Sequence, residues 1–115
     1  MNRRIEPVRY EEAKAAFLSA TENVTLNTIN HFFNLLLARE RVNISSQNLE
    51  NARKLYEVAK VKRRMGKISE NDLLQLQLNM LNAESALTDN ESSLKNAMFT
   101  LRSFLALEGQ EELDP

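Results

Sequence analysis

Only four residues of this 115-residue chain are proline or glycine: Pro7, Gly66, Gly109 and Pro115. Inside a helix, proline costs about 3 kcal/mol and glycine about 1 kcal/mol relative to alanine. Two long stretches, Val8 to Met65 and Lys67 to Glu108, contain neither. That distribution predicts an all-α fold, a long antiparallel two-helix coiled-coil hairpin that turns at Gly66. A thin rod of this kind encloses no pocket, so its function has to reside in its faces and its tip.

The expected helix ends carry their own signals. Pro7 is tolerated in a first helical turn, and Glu11 and Glu12 suit the positive end of the helix dipole. Helix one is therefore expected over about 8–64. Lys60, Lys62, Arg63 and Arg64 place positive charge at its negative end, and Gly66 suits the left-handed position just beyond a helix C-terminus. Ser69, with Asp72 three residues on, resembles a capping box in which Asp replaces the usual Glu. Helix two is expected over about 70–107. At 1.5 Å per residue the two helices would be roughly 85 Å and roughly 55 Å long. Residues 1–7 read as a disordered or introduced N-terminus, and residues 108–115 as a frayed acidic tail.

The apolar spacing is that of a left-handed coiled coil. Leu73, Met80, Leu87, Leu94 and Leu101 recur every seven residues, and Leu76, Ala83, Asn90, Ala97 and Phe104 form the companion row. On helix one the rows are Leu35, Val42, Leu49 and Tyr56, and Ala38, Ser45, Ala52 and Ala59. Folding about Gly66 predicts the layers Ala59–Leu73, Ala52–Met80, Leu49–Ala83, Ser45–Leu87 and Val42–Asn90, mostly one large side chain against one small. The same alignment sets His31 against Leu101 and Thr28 against Phe104, and leaves residues 8 to about 27 without a partner. Asn90 then either fixes register as a buried polar residue or faces water; the pattern alone supports both.

More apolar surface is present than one hairpin uses. Leu18, Ile29, Phe32, Phe33 and Leu36 form a second stripe on helix one, and Leu74, Leu78 and Leu81 form one on helix two. A helix with two apolar stripes needs further neighbours. A homodimer of the chain, closing a four-helix bundle, is the simplest arrangement that supplies them.

Several function classes are disfavoured. The net charge of −1 gives no general attraction to nucleic acid, and the basic cluster Lys60, Lys62, Arg63, Arg64 and Lys67 lacks interleaved aromatics, so no nucleic-acid partner is expected. His31 is the one histidine and Cys is absent, so no metal-site spacing, nucleophile–base pair or cofactor motif is available. His31 is expected in a polar layer of the seam. No enzyme activity, cofactor or metal is expected. No run reaches the roughly 20 apolar residues of a membrane-spanning helix.

Certain residues resemble a known family. Asn48-Leu49-Glu50, Ala52, Leu55-Tyr56 and Ala59 lead into Arg64, Gly66, Ile68-Ser69 and Asp72-Leu73-Leu74, followed by Ala83-Glu84 and Leu87. With Phe32-Phe33-Asn34-Leu35-Leu36-Leu37-Ala38 and the ending Leu101, Leu105 and Leu107, this resembles the TolC-like outer-membrane efflux protein family over most of residues 10–107. The resemblance implies a periplasmic helical hairpin of an outer-membrane efflux or secretion channel in a Gram-negative bacterium. In that family three protomers form a β-barrel in the outer membrane with an α-helical tunnel below it. Hairpin tips there face a periplasmic adaptor and an inner-membrane transporter. The tip would be Met65, Gly66, Lys67, Ile68 and Ser69, with Asp72 one turn on; the two extra stripes would be helix–helix assembly surfaces. Lys67 departs from the family, where that position is often apolar. One hairpin without barrel strands or a signal-peptide-like start implies a soluble segment of a longer protein, with Met1 an introduced start. Two alternatives stay open: a free-standing coiled-coil scaffold or adaptor acting through its exposed stripes, and a cytosolic bundle that regulates a partner.

Overall fold

The computed structural model describes residues 5–113. They form two helices, α1 (Ile5–Arg64) of 60 residues and α2 (Glu70–Leu113) of 44 residues, folded back to back into a rod of 97 × 22 × 15 Å. The described residues contain no strand. The single reversal falls where the one interior glycine stands.

Both helices outrun their expected limits. α1 starts at Ile5, which puts Pro7 inside the first turn, where the backbone N–H has no intrahelical acceptor to lose. α2 continues beyond Leu107, through Gly109, to Leu113. Gly109 lowers helix propensity, but Glu108, Gln110, Glu111, Glu112 and Leu113 around it are good helix formers. The parts of the expected terminal segments at residues 1–4 and 114–115 lie outside the described residues.

The turn is built from backbone hydrogen bonds. Gly66 N–H donates to the Arg63 carbonyl at 3.0 Å and Lys67 N–H to the Lys62 carbonyl at 2.8 Å. Together they are the paired bonds of a Schellman motif, which satisfies carbonyls the end of α1 would otherwise leave free. Gly66 sits at φ 73°, the left-handed conformation that motif requires. A Cβ at this position would meet nothing within 4 Å, so any substitution penalty is conformational rather than steric. Replacing Gly66 by Val should therefore cost about 1–2 kcal/mol, read as a lower thermal midpoint. An unshifted midpoint would show that the turn tolerates another backbone conformation.

Across the turn, Ser69 Oγ accepts from the Asp72 N–H at 3.1 Å and caps α2. Only this half of the expected capping box forms among the described hydrogen bonds, because the Asp72 side chain is one methylene shorter than the Glu that would reach back to Ser69 N–H.

The seam has the heptad rows expected of it. Ala38, Ser45, Leu49 and Ala59 on α1 and Leu101 on α2 are buried. Half-buried residues continue the same three–four spacing from Val24 to Tyr56 and from Leu73 to Phe104. Small side chains dominate the buried set, which lets two helices approach closely while leaving the large residues only part-covered.

The pairing between rows differs from the expected one. Asn90 Nδ2 donates to Ser45 Oγ, where Leu87 was expected opposite Ser45. The His31 ring packs at a tilt against Phe104, centroids 4.7 Å apart, where Leu101 was expected. Leu87 shares a groove with Leu49 instead of standing level with Ser45. Each contact is displaced by one layer along α2. The turn runs from Met65 to Ser69 and is centred on Lys67 rather than Gly66, which accommodates this alignment.

α1 projects past α2 at the open end. Pro7 to Asn23 is exposed throughout, and Tyr10 and Phe17, which continue the heptad, are each 70% exposed. The unpartnered part is shorter than expected because α2 is longer. Here Thr21 and Thr25 hydroxyls donate to the carbonyls of Phe17 and Thr21, at 2.8 and 3.0 Å. Such back-bonding satisfies side-chain polarity without an external partner.

Candidate docking tip and assembly faces

The tip residues are brought together by the two caps just described. Met65 is 63% exposed, while Lys67, Ser69 and Asp72 are also exposed and Ile68 is half-buried against the turn. Arg63 Nη1 donates to the Ile68 carbonyl at 3.2 Å, which closes the loop from the side of α1. The outcome is a small knob that exposes Met65 and Lys67, held by hydrogen bonds rather than by a packed core.

Of the basic cluster, Lys60 lies 2.9 Å from Glu57 Oε1 and 5.0 Å over the Tyr56 ring, and Arg63 is engaged in the loop. Lys62 and Arg64 point outward in the last turn, where the α1 dipole favours them. The tip is thus positively charged on the α1 side and acidic on the α2 side, where Glu70 and Asp72 occupy the first turn.

The second stripes are open surface. Leu18, Ile29, Phe32, Phe33 and Leu36 are each between 51% and 58% exposed. Leu74, Leu78 and Leu81 are 46–52% exposed. The hairpin does not bring the two groups together: the first lies toward the open end on α1, the second beside the tip on α2. They are separate faces, each able to receive a neighbouring helix.

Other exposed apolar positions were not assigned to an outer face from the sequence. Leu55, Val58 and Val61 lie exposed near the tip on α1, while Phe99 and Leu107, 72% and 62% exposed, stand on the outward side of α2. Leu55 and Val58 fall outside the heptad rows between Ala52 and Ala59, but they make a recognisable surface only once the partner helix is in place.

Between Leu49, Val58 and Leu87 runs an open groove walled by Glu50, Arg53, Lys54 and Glu57. Arg53 spans to Glu84 on the other helix at 3.4 Å, and Lys54 meets Glu50 at 3.2 Å. Pairs this exposed contribute about 0–1 kcal/mol each. The groove has an apolar floor and a charged rim, the form of a helix-packing surface rather than of a small-molecule site.

A family model described as "Outer membrane efflux protein" matches residues 2–107 of this chain. No curated protein and no solved structure matches it.

Proposed function

The chain belongs to the outer membrane efflux protein family, and from that premise we propose that its hairpin is one stave of a periplasmic α-helical tunnel whose tip docks an adaptor. Members of the family are components of outer-membrane efflux channels; they transport rather than catalyse, and they act as oligomers. None of the described helices is long and apolar enough to cross a membrane, which suits a segment standing outside the lipid.

One observation carries the reading. The hairpin leaves apolar residues exposed on faces that point away from its own seam, on both helices and along most of the rod. A closed ring of helices gives every such residue a neighbour on either side, whereas a lone hairpin gives it water. In a ring of three chains, Leu18, Ile29, Phe32, Phe33 and Leu36 would pack against adjacent staves on one side, and Leu74, Leu78 and Leu81 near the tip. Met65, Gly66, Lys67, Ile68, Ser69 and Asp72 would then form the free lower rim, exposed to a periplasmic adaptor and the inner-membrane transporter beyond it.

Site-specific photo-crosslinking in the outer-membrane protein that carries this hairpin tests both parts. A photoreactive residue at Leu78 or Phe33 should capture other copies of the same protein. One at Met65 should capture a periplasmic coiled-coil adaptor, and capture should fall when the adaptor gene is deleted. Capture of unrelated proteins at Leu78, with no self-crosslink, would favour a free-standing scaffold instead. Self-crosslinks at Met65 alone would remove the tip from any docking role.

A further inference from the structure

We propose that the Ser45–Asn90 hydrogen bond sets the register of the hairpin. Between Leu35 and Ala59 the α1 seam reads Leu35, Ala38, Val42, Ser45, Leu49, Ala52, Tyr56 and Ala59, with Ser45 its one small polar member. The α2 seam from Leu73 to Phe104 has a single polar residue, Asn90. These two meet: Asn90 Nδ2 donates to Ser45 Oγ, and Ser45 is 6% exposed.

Matching by size does not explain the meeting. Large meets small at most layers only when α2 is moved by one layer, and that alignment would set Val42 against Asn90 and Ser45 against Leu87. It would also leave the Asn90 amide beside an aliphatic side chain with no acceptor, which is the costly outcome for a part-buried polar group. The structure adopts the alignment in which the polar pair is satisfied, and no buried side-chain polar atom among the described residues lacks a partner. His31 packed against Phe104 follows the same displacement. The pair lies roughly 30 Å from the turn, counting the residues of α1 between Ser45 and Met65 at 1.5 Å each. The turn limits which alignments are available, and the polar pair selects among them. A single polar layer specifying alignment at some cost in stability is known physics for coiled coils. This role is independent of the tunnel reading, since it concerns the hairpin alone.

Register sets which outward residues stand level on the two helices, so it can be read as a distance. The chain has no cysteine, and exposed Asn51 and Thr100 stand well apart along the rod. Spin labels on N51C and T100C, diluted with unlabelled chain of the same variant, report an intrachain distance that is mainly axial. The parent should give one narrow distance. Ser45→Ala with Asn90→Leu should broaden it or add a population displaced by about 4.5 Å, one three-residue layer. Val42→Ser with Ser45→Ala moves the polar partner and should displace the main distance by the same amount. Circular dichroism confirms that each variant remains helical. If both variants hold the parent distance, the turn or the apolar rows set the register and the proposal fails; so does a displacement that appears equally when Ser45 and Asn90 are simply exchanged.

Discussion

Leu49→Ala should lower the stability of the hairpin by about 2–5 kcal/mol, the range for emptying a buried leucine site, while Leu78→Ala should change it by well under 1 kcal/mol. Both residues are leucines in the middle of long helices, so helix propensity contributes almost equally to the two substitutions. They differ in what surrounds them. Leu49 is 6% exposed in the seam and Leu78 is 50% exposed on the outer side of α2. Truncating Leu49 removes transfer free energy and leaves a cavity between helices whose backbones are already close, with Ser45 and Ala52 too small to fill it. Truncating Leu78 gives back surface that water already reaches. Chemical denaturation of the two variants measures the contrast. Equal losses would mean that the seam and the outer stripe have been exchanged, and with them the orientation of every assembly face.

That contrast also marks what a sequence of this kind discloses. Heptad spacing reports the direction of each side chain relative to its own helix axis, so the membership of the seam was legible from Val24 to Ala59 and from Leu73 to Phe104. Breaker placement reported the turn, because a left-handed position at φ 73° has few occupants other than glycine. The axial alignment of one helix on the other was not legible. It depends on how many residues the turn consumes and on where polar side chains find partners, as Ser45 and Asn90 show. Neither is periodic. Nor were the full outer faces legible, since Phe99, Leu55 and Leu107 break no rule of the seam and become visible as a surface only when the partner helix is in place. The tip is a third case: Met65, Lys67 and Asp72 are placed by capping chemistry that any helical hairpin shares. Their geometry therefore follows from local rules, whereas their role depends on the family and on a partner.

Phe32→Ser combined with Phe33→Ser should abolish self-association of the chain while leaving the hairpin folded. The two rings are 51% and 58% exposed, side by side on the α1 face that carries Ile29 and Leu36. Burying the open half of one such ring is worth about 1 kcal/mol. Two rings on each of two chains then contribute about 4 kcal/mol to a symmetric contact, about a thousandfold in dissociation constant. Serine removes that contribution without adding charge, and neither position faces α2, so the thermal midpoint of the diluted chain should hardly move. Sedimentation across a concentration series reads the result: the parent chain should shift toward heavier species with rising concentration, and the variant should not. On the proposed tunnel reading, the same pair of substitutions in an assembled channel of this family should reduce formation of the oligomer, because that reading places this face against a neighbouring helix. Should the variant instead lose helicity while remaining monomeric, Phe32 and Phe33 would belong to the fold of the single hairpin, and the assembly face would have to lie on α2, with Phe99 at its centre.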